Sequence, residues 1–219
     1  MSRIKVLNQI RISDIGPVNQ NGRPIHLQQG SLDGACGIYS LFMALTICGA
    51  VKDKDHKALL SADPVRKNTS TGRALFQIQK LTTKDSMLFR DGVHLSQLKK
   101  IIDDAYKTSI KPEENNPNVD IKDFIIEEID KNSNPVILHL CDASGRGGHA
   151  VVVVGTECSD VKKNFSRLFL LDPGVPTPTL AAWNSIIDLS PRSEVHKKWD
   201  VNGEQKIKLH RALAIKRKK

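Results

Sequence analysis

Hydrophobic and polar positions follow two regimes along the chain. From Ala35 to Gly49 nearly every position is apolar or small. That run predicts a helix buried on all sides, which at about 14 residues is too short to span a bilayer. Gly49 is its expected stop. Over 51–92 the pattern is mixed and polar, with Asp63-Pro64 as a break and short helices expected near Leu59-Leu60 and from Leu75 to Leu81. Leu95, Leu98, Ile101, Ile102 and Ala105 recur at helical spacing and predict a helix over 94–106. The stretch 111–118, with Pro112 and Pro117, reads as a polar loop. Ile121, Ile125 and Ile129 form one stripe of a further helix.

The second regime is extended. Segment 135–141 reads as a strand, 142–148 as a glycine-rich loop, 149–155 as a second strand, and 167–171 as a third that ends at Asp172-Pro173-Gly174. A helix is expected within 180–189. Segments 195–201 and 205–215 flank Asn202-Gly203, a hairpin signal. Residues 1–27 read as an extended arm that adds an edge strand. Helices first and strands afterwards is the α+β order, and 219 residues fit one domain.

Charge and cysteine content narrow the class. Lys and Arg number 33 against 24 Asp and Glu, a formal net charge of +9. Lys216, Arg217, Lys218 and Lys219 supply nearly half of it and read as a solvated basic tail. No zinc-finger or RNA-binding aromatic motif accompanies the charge, so nucleic acid is not the expected substrate; an acidic protein partner for the basic surface stays open. Four cysteines are too sparse for a disulfide scaffold, and they lack the Cys-x-x-Cys spacing of a zinc site. With no apolar signal region at the N-terminus and no apolar run of membrane length, the expectation is a cytoplasmic protein, with delivery by a signal-less route left open.

Cys36 opens the apolar helix, where the helix dipole and backbone N–H groups favour a thiolate. If 135–141, 149–155 and 167–171 form a meander, strand direction alternates. The end of the first, the start of the second and the end of the third then share one edge. His149 and Asp172 become neighbours there. A carboxylate beside an imidazole orients it and stabilises its cation, and an imidazole beside a thiol forms an attacking ion pair. His139 and Cys141 read as core or cleft wall. His26, His56, His94, His196 and His210 read as surface or packing residues.

The segment from Gln29 through Leu41, with Cys36 entering the helix, resembles the nucleophile segment of papain-like cysteine peptidases. Gly148-His149-Ala150-Val151-Val152-Val153-Val154-Gly155 and Leu170-Leu171-Asp172-Pro173 are most similar to bacteriocin-processing, double-glycine leader peptidases. The resemblance implies a papain-like α+β fold, in which an N-terminal helical part with a central buried helix packs on a C-terminal antiparallel sheet. It implies Cys36 as nucleophile, His149 as general base then acid, and Asp172 as orienting carboxylate. Gln29 would complete the oxyanion hole. Gln28 is an alternative, as is Asp33, because Asp33-Gly34-Ala35-Cys36 also resembles the motif of ovarian-tumour-type deubiquitinases. The expected activity is hydrolysis of amide bonds in a protein or peptide through a thioester, with neither metal nor organic cofactor. Deamidation, transglutamination or another acyl transfer by the same triad remains open, as does a binding module without catalysis.

Overall fold

The computed structural model describes residues 2–30, 34–61, 64–85, 92–159, 164–189 and 193–218. The N-terminal arm forms β1 (Ser2–Val6) and a separate hairpin of β2 (Ile10–Ser13) and β3 (Gly16–Asn19). Four helices follow: α1 (Cys36–Ile47), α2 (Asp53–Ser61), α3 (Ser70–Asp85) and α4 (Leu95–Ala105). Then come β4 (Ile110–Glu114) and α5 (Ile121–Ile126), which continues into a π turn at Glu127–Lys131.

Local chemistry accounts for these elements. α4 buries the predicted stripe of Leu95, Leu98, Ile101, Ile102 and Ala105, and at its start the Gln97 side chain accepts the His94 N–H (2.9 Å). Asp120 caps α5 by accepting the Lys122 N–H (2.8 Å). α1 ends at Gly49, whose φ of 67° lies in the left-handed region that a side chain disfavours.

The remaining strands are β5 (Val136–Asp142), β6 (His149–Ser159), β7 (Asn164–Leu171), β8 (Ser185–Asp188), β9 (Val195–Asp200) and β10 (Gly203–Arg217). Each pairs antiparallel with the next, and β10 returns to pair with β5. The result is a closed six-stranded antiparallel barrel. β1 extends the sheet along the distal half of β6, and β4 pairs with the end of β10.

The papain-like α+β fold expected from the sequence is therefore overturned. Most of the regular structure is sheet, and the sheet closes on itself instead of lying open against a helical part. Closure depends on pairings that hydrophobic period does not encode. Segment 180–189 contains no helix among its described residues: Ser185–Asp188 is β8, with alternating burial, and it bridges β7 and β9. Segment 111–118 is not wholly loop, since Ile110–Glu114 is a strand with Pro112 opposite Ile215 at the end of the sheet, where a missing N–H is tolerated. The basic tail is also partly structured. Lys216 and Arg217 belong to β10, and Lys216 pairs with Glu128 (2.7 Å) and Glu113 (3.0 Å).

α1 lies against β5 and β6, with α4 and β3 also in contact with it. Residues 150–157 of β6 are buried without alternation, because helix covers one face and barrel interior the other. Gly155 lets β1 approach: a Cβ there would lie 2.6 Å from the Lys5 carbonyl oxygen. Among the described residues no helix is long and apolar enough to cross a membrane.

Candidate active site

Cys36 is the first residue of α1. The preceding Ala35 provides no side-chain cap, and no acidic residue stands in the first turn. The positive end of the helix is thus left to the sulfur. The Ala150 N–H donates to Cys36 Sγ (3.4 Å), and the Gly37 N–H faces it as well. Ser40, one turn further along α1, donates to the Ala150 carbonyl (3.0 Å) and is fully buried. One residue of β6, Ala150, is therefore held by α1 through both its N–H and its carbonyl. That grip sets Cys36 beside His149, the residue before it.

The antiparallel run of β5, β6 and β7 brings the start of β6 to the end of β7. There His149 Nε2 lies 2.6 Å from Asp172 Oδ1. With Nε2 engaged by Asp172, Nδ1 is the ring nitrogen free to act on Cys36, whose sulfur is held by the next residue of β6. The structure thus assembles Cys36, His149 and Asp172, with His149 and Asp172 drawn from 23 positions apart and Cys36 from far earlier in the chain. Burial raises the Cys36 thiol, but the hydrogen bond and charge of His149, with the two backbone N–H groups, outweigh it and lower the pKa. Burial likewise disfavours the His149 cation, yet its bonds to Asp172 and Cys36 and their charges raise it to about 9. Desolvation works against the Asp172 carboxylate too, and His149 and Lys198 more than reverse it, holding Asp172 well below the usual carboxylate range. The groups support a thiolate–imidazolium pair.

Asp172 is fixed from every side. Gly174 N–H donates to Oδ1 (2.8 Å), and Lys198 Nζ lies 2.8 Å from Oδ2. A Cβ at Gly174 would sit 3.3 Å from Asp172 Oδ1 and 3.5 Å from His149 Cε1, so the bare glycine lets the Asp-Pro-Gly turn fold over the pair. Asn184 accepts the Asp172 N–H (2.7 Å) and donates to its carbonyl (2.9 Å). That carbonyl also accepts from His26 Nε2 (2.9 Å), whose Nδ1 meets Thr177 Oγ1 (2.9 Å). Burial lowers the His26 pKa, which favours the neutral ring.

No protein-family model and no curated protein sequence matches the chain.

The other sequence candidates are placed as follows. Gln29 is half-buried and donates its backbone N–H to Pro173 O (2.9 Å), which seats it beside the Asp172 turn. Gln28 is exposed, and Asp33 lies outside the described residues. Cys48 is buried and its thiol is pushed up to about 12 by desolvation; burial also raises Cys141. His139 packs edge-on against His210 at 5.3 Å between ring centroids. Burial first, then the positive charge of nearby basic side chains, lower it to about 4. Trp183 packs on Phe169 (4.3 Å), whereas Trp199 is exposed beside Lys197. Among the described residues no group of three or more His, Cys, Asp or Glu is arranged to hold a metal ion.

Sequence reasoning missed Ser40, His26, Asn184, Lys198 and Asp200. Ser40 carried one signal, a hydroxyl one turn after Cys36 on an otherwise apolar face. His26 had been assigned to surface or packing. Asn184 comes from the turn between β7 and β8, and Lys198, itself met by Asp200, reaches Asp172 from β9 across the closed barrel, which no local spacing reveals.

A cleft of about 370 Å³ opens beside the triad, lined by His149, Gly147, Gly148, Cys141, Arg146 and Lys206 among others. It offers room next to the imidazole for part of a bound chain.

Proposed function

We propose that the protein is a cysteine peptidase that hydrolyses amide bonds of a protein or peptide through Cys36, His149 and Asp172. The carrying observation is the juxtaposition at the start of β6, where Ala150 N–H holds the Cys36 sulfur beside His149 and the His149 ring is bonded to a buried carboxylate. In the first step the Cys36 thiolate attacks the amide carbonyl. The C–N bond breaks as His149 gives its proton to the departing amine nitrogen, leaving an acyl thioester on Cys36. Water then attacks the thioester, His149 takes the water proton, and the acid leaves as the Cys36 sulfur departs. Asp172 keeps the ring oriented and its cation stabilised throughout. The cleft beside His149 supports the reading, because the amine must leave from the imidazole side.

A proteome incubated with the wild type and with Cys36→Ala tests it by terminal-peptide mass spectrometry. New N-termini that require Cys36 are the expected result. A gain of about 1 Da at Gln side chains without new termini would make the same triad a deamidase. Identical samples would remove the hydrolase reading.

A further inference from the structure

Lys198 is a buried charge beside the triad that the reaction above does not use. It sits on β9, where His196 and Lys198 alternate as buried positions, and it is only 3% exposed. Its ammonium lies 2.8 Å from Asp172 Oδ2 and 2.5 Å from Asp200 Oδ2. The side chains of Asp172 and Asp200 are themselves 2% and 1% exposed. A buried ammonium is tolerated only when its charge is matched, and here two carboxylates match it. Asp200 is held in turn, accepting the Asn202 N–H on its other oxygen (2.7 Å).

We propose that Lys198, backed by Asp200, is a positioning residue of the triad that clamps the second oxygen of Asp172, so that the first stays on His149 and the carboxylate stays ionised. The proposal rests on the Cys36–His149–Asp172 reading. Several charged or titratable groups face this assembly. His149 comes from β6, Cys36 from α1, and His139 from β5, next to His149. Lys198 and Asp200 come from β9, and Lys206 of β10 lines the cleft that also touches Lys198. His26 reaches the main chain of Asp172 from the N-terminal arm.

The clamp has a chemical consequence that a packing role lacks. Without the ammonium, Asp172 and Asp200 face one another across its vacated place. Two carboxylates sharing a buried site do not both stay ionised, and one takes up a proton. A protonated Asp172 no longer supports the imidazolium, so the thiolate–imidazolium pair fails at the acid end. Neutralising Asp200 as well relieves the repulsion.

The test is the pH profile of iodoacetamide alkylation at Cys36 in the full chain, read by mass spectrometry, with a thermal melt to establish folding. For Lys198→Met the lower limb should rise by about one pH unit or more, with a roughly tenfold slower reaction on that limb. Lys198→Met/Asp200→Asn should bring the limb back at least halfway. Lys198→Arg, which keeps the charge, should leave the limb in place and remains informative if Lys198→Met does not fold. A Lys198→Met profile that overlays the wild type overturns the clamp. So does equal slowing of the single and double variants with no shift of the limb, or an arginine variant with a raised limb. If wild-type Cys36 itself shows no preferential alkylation, the triad reading fails, which is a separate result.

Discussion

Asp172→Asn isolates the carboxylate's charge with little change of shape. Asp172 accepts from three donors: His149 Nε2 at 2.6 Å, the Gly174 N–H at 2.8 Å and Lys198 Nζ at 2.8 Å. An asparagine has one acceptor oxygen and one donor group for these places. The less damaging orientation keeps the oxygen on His149 and Gly174 and turns the amide NH2 toward the Lys198 ammonium, donor against donor. His149 then keeps a neutral hydrogen bond and loses the charge-assisted one, a difference of about 1 kcal/mol. It also loses the ionic attraction, about 1–3 kcal/mol at the effective dielectric of a partly buried pair. The total is about 2–4 kcal/mol; in the structure burial works against the imidazolium, and Asp172 together with Cys36 raises it to about 9 from an ordinary 6.5. The sign follows from a raised pKa. In the wild type the imidazolium is present below about 9 and is lost as pH rises through that value. In the variant it is lost from near the ordinary value, and Cys36 reverts to a buried, protonated thiol. At slightly alkaline pH the rate of iodoacetamide alkylation at Cys36 should fall by about 30-fold to several hundredfold. A rate within about threefold of the wild type, from a variant that melts normally, would refute the reasoning.

Three further substitutions test the frame that holds the site. Ser40→Ala removes the bond to the Ala150 carbonyl (3.0 Å) and should cost about 1–2 kcal/mol in urea unfolding, with slower Cys36 alkylation because α1 and β6 lose their register. Gly155→Ala drives a Cβ to 2.6 Å from the Lys5 carbonyl oxygen and should cost about 1–3 kcal/mol, with faster amide exchange in β1. Glu128→Gln weakens the 2.7 Å pair of a buried carboxylate with a half-buried Lys216 and should cost about 1–2 kcal/mol, discounted because Lys216 also has Glu113. A midpoint equal to the wild type would count against the corresponding contact.

What the sequence made legible was local or alternating. The apolar run after Cys36 became α1, and the stripe from Leu95 to Ala105 became the buried face of α4. Alternation of strand direction places His149 and Asp172 on one edge, and they are bonded there. The barrel was not legible. Its closure joins β10 to β5, with Ala212 opposite Leu138, and period-2 patterning says which face is buried without naming the neighbouring strand. Segment 180–189 reads as a helix because Ser185–Asp188 is short and follows a proline-rich turn; Ile186 and Ile187 form a strand only through β7 and β9. Lys198 stood within a basic stretch of β9 and invited a solvated reading. Its burial follows from Asp172 and Asp200, which meet it from another strand and from its own strand end.

Limiting iodoacetamide at neutral pH measures directly whether Cys36 is an activated thiol. Cys36 should be modified before Cys48, Cys141 and Cys158, with Cys48 last, because its pKa is raised to about 12. His149→Ala should abolish the lead of Cys36. Equal labelling of all four thiols, or a lead that survives His149→Ala in a folded protein, would contradict the account.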